Sequence, residues 1–206
     1  MKLAAVAAAL FSMGALATPA PVSDTYHFTD LEWQVEVAPG QTIAVNGTIE
    51  AVAAQLHKSD PNWQNNNHPN PGAGAGADAT VTTTTAAAVK RATDFGGGSY
   101  FCGARWPYAP LGPYWEGMRY LRSLKGQVHM PPGPRLCSRV SCSRDSAVYI
   151  CNDRTEDLYL DSFERIADGV GYIIGWCSTL AWGPTQVAGQ LFHPDNWNII
   201  VRRDSC

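Results

Sequence analysis

Between Leu31 and Val37, apolar Leu31, Trp33, Val35 and Val37 alternate with Glu32, Gln34 and Glu36, the period of a strand with one buried face. Pro39-Gly40 supplies a turn and Ile43 and Val45 continue the alternation on a returning strand, so the pattern predicts a hairpin. Thr48 is placed to cap a helix whose apolar positions Ile49, Val52, Ala53 and Leu56 recur at i, i+3, i+4 and i+7. From Trp63 to Val89 the periodicity stops. Asn65-Asn66-Asn67, Gly72-Ala73-Gly74-Ala75-Gly76 and Thr82-Thr83-Thr84-Thr85 cannot bury enough apolar surface to offset the entropy of ordering them. A linker open to proteases is expected there.

Periodic positions return further along. Gly96-Gly97-Gly98 reads as a loop; a phosphate cradle would need a following Lys-Ser or Lys-Thr, and none is present. Pro113 suits the first turn of a helix carrying Tyr114, Trp115, Met118 and Leu121, ended by Gly126, with Trp115 and Trp197 expected in the core. Met130-Pro131-Pro132-Gly133-Pro134 must be an irregular connection. Cys137 to Asn152 reads as strand, turn near Ser143 to Ser146, strand. With a tight turn, Val140 and Cys142 would share a face with Ala147, Tyr149 and Cys151, leaving Val148 and Ile150 on the other. Asp161-Ser162-Phe163-Glu164 has capping-box spacing, and Phe163, Ile166, Ala167, Val170, Ile173, Ile174 and Cys177 mark one face of a second helix. That helix delivers Cys177 to its buried side, so it is expected to be stapled to the sheet. Val187 to Phe192 and Trp197 to Val201 flank the turn His193-Pro194-Asp195-Asn196 and predict a closing hairpin. The order strand, helix, hairpin, helix, hairpin predicts an α+β domain: an antiparallel sheet with two helices packed on one face, stapled by disulfides.

Composition changes the picture at the ends. Met1-Lys2, the uncharged run Leu3 to Leu16 and the small-x-small Ala15-Leu16-Ala17 form a secretory leader with cleavage expected after Ala17. The run is shorter than the ~20 apolar residues a bilayer demands, so no membrane span is expected in the secreted product. All six cysteines, Cys102, Cys137, Cys142, Cys151, Cys177 and Cys206, follow the dibasic pair Lys90-Arg91. An even count in an exported domain argues for three disulfides, with the pairing left open, and the spacing lacks the close Cys-x-x-Cys pairs of zinc knuckles. Lys90-Arg91, at the linker's far end and between a cysteine-free and a cysteine-dense half, is expected to be cut by a late-secretory processing protease rather than merely to solvate the linker's end. Four parts follow: a signal peptide at 1–17, a pro-region of hairpin plus helix at 18–61, a disordered linker at 62–91, and a mature six-cysteine domain at 92–206. Eleven basic residues after Arg91 meet eleven acidic ones. That neutral balance is unsuited to counterion-driven binding, so no nucleic-acid partner is expected. Asn46-Gly47-Thr48 is a glycosylation sequon at an accessible turn, with Asn46 the acceptor.

The strings Gly117-x-x-Tyr120-Leu121-Arg122, Cys137-x-Arg139-Val140-Ser141-Cys142-Ser143, Cys151-Asn152-Asp153, Ile166-Ala167-Asp168-Gly169, Gly189-Gln190-x-Phe192-His193, Asn196-Trp197-Asn198-x-Ile200-Val201-Arg202 and Asp204-x-Cys206 resemble a family of fungal small secreted cysteine-rich proteins. More distantly, the succession of cysteine, helix, cysteine strand, helix ending in cysteine, and a late Gly189-Gln190-Leu191 strand before Ser205-Cys206 is similar to the compact α/β killer toxins and killer-toxin-like effectors of fungi. Fungal necrosis-inducing-factor domains are the competing relative. The resemblance implies extracellular action, a disulfide-stapled scaffold and dibasic processing. This chain departs from the best-known toxin of that type in having fewer cysteines and a longer final hairpin, and no basic residue aligns with a toxin's active surface.

Catalytic chemistry is not legible. There is no Gly-x-Ser-x-Gly turn and no His-Glu-x-x-His helix. His129 and His193 neighbour proline-rich or turn segments where a locally bonded imidazole is the usual outcome, and a ribonuclease-like set of His129, His193, Glu116 and Arg119 can be assembled only on paper. No cofactor, metal or catalytic residue is expected. Trp106, Tyr108 and Trp182, aromatics in Pro/Gly-rich loops, are the candidate interaction surface. The sequence thus points to a secreted, processed, non-enzymatic effector or killer-toxin-like antimicrobial or virulence factor that recognises a host or competitor cell surface. The alternative is a small secreted hydrolase, ribonuclease-like, kept inactive by its pro-region.

Overall fold

The computed structural model describes residues 26–61, 95–180 and 183–206. Its first elements follow the alternation of the sequence. Strand β1 (His27–Thr29) leads into β2 (Glu32–Ala38) and β3 (Gln41–Asn46), joined at Pro39-Gly40 with Gly40 at φ 72°. Leu31, Trp33 and Val35 are fully buried, while Glu32, Gln34 and Glu36 face outward. Helix α1 (Ile49–Ser59) buries Ile49, Val52 and Leu56 as the i, i+3, i+7 spacing predicts. Thr48 occupies the N-cap position with extended backbone, but its side chain makes no capping hydrogen bond.

The remaining elements are β4 (Tyr100–Cys102), β5 (Ala109–Pro110), α2 (Gly112–Ser123), β6 (Gly126–Met130), β7 (Leu136–Ser143), β8 (Ser146–Asn152), β9 (Leu158–Leu160), α3 (Glu164–Cys177), β10 (Ser178–Thr179), β11 (Gln186–Val187), β12 (Gly189–His193) and β13 (Trp197–Arg203). They form a six-stranded sheet ordered β1-β7-β8-β13-β12-β4, a four-stranded sheet ordered β3-β2-β6-β9, and a three-stranded sheet ordered β10-β11-β5. Every pairing is antiparallel except β1 with β7. The class is α+β, as the order of elements predicts. All three predicted helices form, but three sheets stand where one sheet with two helices on a single face was expected, because β6 and β9 are too short to announce themselves. Helices α2 and α3 pack on each other, α3 also on β12, β13 and β4, and α1 on β7 and β3.

One core unites the elements of residues 26–61 with those that follow residue 95. Trp33 meets Phe163 at 5.2 Å between ring centroids, and Leu31, Val35, Val45, Ile49, Val52 and Leu56 belong to the same buried cluster as Val128, Met130, Ile150 and Ile166. Strand β2 pairs with β6 through Glu32↔His129, Trp33↔Val128, Gln34↔Gln127 and Val35↔Gly126. The 26–61 segment thus supplies an inner strand, β2, to the four-stranded sheet and part of the core shared with the six-cysteine portion.

Three details revise the sequence expectations. Cys142 lies five positions after Cys137, an odd offset that strict alternation would place on opposite faces. A bulge between Arg139 and Ser141 resets the register. Cys137 and Cys142 then share the outer face with Ala147, Tyr149 and Cys151, whereas Val140 turns inward to join Val148 and Ile150. The hairpin's turn is tight, with Arg144 at φ 46° and Asp145 at φ 60°. At the start of α3, Asp161 is ion-paired to Arg165 and does not cap, and Ser162 Oγ accepts the Glu164 N–H at 3.0 Å. Trp115, expected in the core, is 47% exposed, because α2 buries Tyr114, Met118 and Leu121 and turns Trp115 off that face. Trp197 is buried as expected, and all seven residues of the predicted α3 face are buried.

The cysteines pair as Cys102–Cys177, Cys137–Cys151 and Cys142–Cys206, with none left free. The first ties the end of α3 to the sheet, the second crosses the β7–β8 hairpin, and the third anchors the C-terminal residue. Three disulfides fit a secreted or extracellular chain. No helix among the described residues is long and apolar enough to cross a membrane.

Candidate functional site

The apolar stripe of α3 decides where its other residues point. Trp176 falls off that stripe and is 64% exposed, one residue before the disulfide-bonded Cys177. Cys177 is joined to Cys102 of β4, which among the described residues is an edge strand paired with β12, so the end of the helix is held against the rim of the six-stranded sheet. Tyr100, at the start of that edge strand, stands 5.4 Å from Trp176 between ring centroids. Between and beneath the two rings, Phe95, Gly98, Tyr172, Ile173 and Leu191 line a cavity of about 170 Å³. Gly98 is required there: a Cβ at its position would lie 2.0 Å from the Phe192 carbonyl oxygen, so only glycine lets the loop lie flat on β12. Phe95 is fixed as part of the wall by edge contacts to His193 and Trp197.

None of these lining residues carries a charge. An apolar cavity of about 150 Å³ accepts benzene, so the cleft's dimensions suit one aromatic ring or one branched aliphatic side chain. Two large aromatics held exposed beside such a cleft form the kind of patch that marks interaction sites.

Sequence reasoning missed Tyr100 and Trp176. A signal was available for the second, since a tryptophan outside an otherwise complete apolar stripe must face solvent. The aromatic residues it did single out lie elsewhere. Trp106 is half-buried on the outer face of the six-stranded sheet, where its Nε1 donates to Gln190 Oε1 at 3.2 Å. Tyr108 is half-buried over Gly103, where a Cβ would come within 2.5 Å of the Tyr108 hydroxyl. Trp182 lies outside the described residues, as do Ala17, Lys90 and Arg91. Asn46 is exposed at the end of β3.

Trp106 belongs to a polar network. Fully buried Gln190 donates to Asn198 Oδ1 at 2.8 Å and to the Tyr26 hydroxyl at 3.0 Å, and Asn198 donates to Asp153 Oδ2 at 2.7 Å. Alongside, the Arg202 guanidinium lies 5.2 Å from the Trp106 ring centroid and 4.9 Å from that of Tyr149, and pairs with Asp204 at 2.6 Å. The Tyr149 hydroxyl donates to the same carboxylate. Burial opposes ionisation of Asp204, but the hydrogen bonds from Tyr149 and Arg202 outweigh it and hold the carboxyl below its ordinary range. Burial pushes the Tyr149 hydroxyl up, and its bond to Asp204 adds to that.

The two histidines sit in different surroundings. His129 Nε2 is 2.8 Å from Asp157 and Nδ1 is 3.8 Å from Glu32, with the imidazole stacked on Tyr159 at 4.6 Å. It faces a polar groove of about 720 Å³ across the four-stranded sheet, lined also by Gln34, Glu36, Thr42, Gln127 and Asp161. His193 is stacked on Trp197 at 4.7 Å, and its Nδ1 accepts the Asp195 N–H at 3.1 Å, a locally bonded turn histidine. Glu116, on α2, pairs with Arg144, and neither Glu116 nor Arg119 lines the groove of either histidine. Among the described residues no group of three or more histidine, cysteine or acidic side chains could hold a metal ion.

No protein-family model, curated protein or solved structure matches the chain.

Proposed function

We propose that this chain is exported, trimmed after Ala17 and cut at Lys90-Arg91, and acts outside the cell as an effector or killer-toxin-like antimicrobial or virulence factor, by surface recognition and without catalysis. One observation supports the reading: an uncharged cleft lies between exposed Tyr100 and Trp176, next to the Cys102–Cys177 disulfide, with a size that suits an apolar side chain of a partner. Aromatic anchors seated in such pockets dominate the energy of protein recognition. The partner is a protein on a host or competing cell. Trp106 and Tyr108 serve the scaffold in this reading, and the contact surface moves to Tyr100, Trp176 and the 90%-exposed Leu180.

The test is binding of the labelled secreted protein to intact host and competitor cells, with Tyr100→Ala and Trp176→Ala as variants. Each should weaken binding by at least tenfold while leaving thermal unfolding unchanged; unaltered binding in both defeats the reading. A second reading, a small secreted hydrolase, rests on His129 set between Asp157 and Glu32 at the mouth of a polar groove, an arrangement compatible with general acid–base work. Cleavage of RNA or polysaccharide that is lost in His129→Ala but kept in Trp176→Ala would favour it.

A further inference from the structure

The segment that dibasic cleavage would release is built into the fold it would be released from. Strand β2 is hydrogen-bonded on one side to β3 and on the other to β6, and β1 extends the larger sheet beyond β7. The joint is prepared from both sides. Gly126 of β6 has φ 141°, and a Cβ there would fall 1.9 Å from the Gln34 carbonyl oxygen, so this glycine serves the approach of β2. Glu50 of α1 accepts from Ser141 Oγ at 2.6 Å and from the Cys142 N–H at 3.2 Å. Glu36 N–H donates to the Lys125 carbonyl at 2.9 Å, and His27 N–H to that of Arg135 at 2.9 Å. Without this segment β6 becomes a bare edge, and Phe163, Val128 and Met130 lose the cover of Trp33 and Leu31.

We infer that residues 18–91 remain bound after the cut, so that the working protein is a two-chain molecule in which the first chain completes the four-stranded sheet of the second by strand addition. The inference rests on the processing reading given above. All six cysteines lie in the second chain, so the union is non-covalent. It also makes the His129 groove a shared surface: Glu32, Gln34, Glu36 and Thr42 come from the first chain, Gln127, His129, Tyr159 and Asp161 from the second. A leader that departed would take half of that surface with it.

The full secreted chain, with a recognition sequence for a site-specific protease inserted between Val89 and Lys90, separates the two questions. After cleavage at the inserted site, size exclusion and native mass spectrometry should show one species carrying both fragments, which part only in denaturant. Trp33→Ala in the cut protein should raise the concentration at which the fragments separate by at least tenfold. Fragments that elute apart at micromolar concentration overturn retention. In parallel, the unmodified chain treated with a dibasic-specific protease, and the N-termini of the natural secreted product, report on Lys90-Arg91. An uncut pair overturns processing, and the two-chain form with it, whatever the inserted site shows.

Discussion

Replacing Trp33 with alanine removes the largest fully buried side chain of the structure from a segment that the sequence divides off as a leader. Burying a tryptophan takes about 200 Å² out of water, worth about 5 kcal/mol at about 25 cal/mol per Å² as an upper bound. Measured truncations of buried Phe and Trp cost about 3–5 kcal/mol, and the lost bond from Trp33 Nε1 to the Gly47 carbonyl at 2.7 Å adds to the same side. Trp33→Ala is therefore expected to cost about 4 kcal/mol, a large share of the roughly 5–15 kcal/mol that holds a domain together. At about 2–4 °C per kcal/mol for a chain of this size, the melting point should fall by about 8–16 °C. The assay is guanidinium unfolding of the full chain followed by far-UV circular dichroism, with calorimetry for the melting point. Trp115→Ala is the control: half-exposed on α2, it should shift stability by no more than about 0.5 kcal/mol. A cost below about 1 kcal/mol at Trp33, or an equal cost at both tryptophans, would refute the view that the first hairpin shares the core.

Opening disulfides should rank by the loop each closes. Replacing Cys102 and Cys177 together by serine, which frees a loop of 75 residues, is expected to cost about 4 kcal/mol, and replacing Cys137 and Cys151, with 14, about 3 kcal/mol; denaturation midpoints check the order, and an unchanged midpoint in both rejects the crosslinks. The Asp204 carboxyl, held low in the folded chain, binds its proton less readily there than when unfolded. Its stabilisation is therefore complete above the unfolded value of about 4 and is lost as pH falls through the folded value. Asp204→Asn should flatten the acid limb of a stability profile between pH 2 and 6, and an identical limb in both proteins contradicts the assignment. Tyr149, held high, works the other way: its contribution is present below about pH 10 and is lost as pH rises through the folded value, so Tyr149→Phe should flatten the alkaline limb.

Much of the local structure was legible. The first hairpin, α1, the closing hairpin and the whole buried face of α3 follow from alternation at 2 and 3.6 residues, because those periods reflect which side of a single element meets solvent. An even cysteine count foretold full pairing. Periodicity carries no information about partners, however. The buried face of Leu31, Trp33 and Val35 announces that something must cover it, yet β6 and Phe163, its cover, lie about ninety or more positions further along the chain and are short or locally unremarkable. The inward turn of Val140 depends on a bulge that only the opposing strand β8 defines, and the choice among disulfide pairings depends on which faces that bulge brings together. The cleft at Tyr100 and Trp176 likewise exists only once β4 has paired with β12 and Cys102 has met Cys177. What the sequence determined by itself is therefore the set of elements, their apolar faces and their oxidised state. Tertiary structure decided which faces meet, joining the cysteine-free and cysteine-rich halves in one core, because strand register and core complementarity are set by residues far apart in the chain.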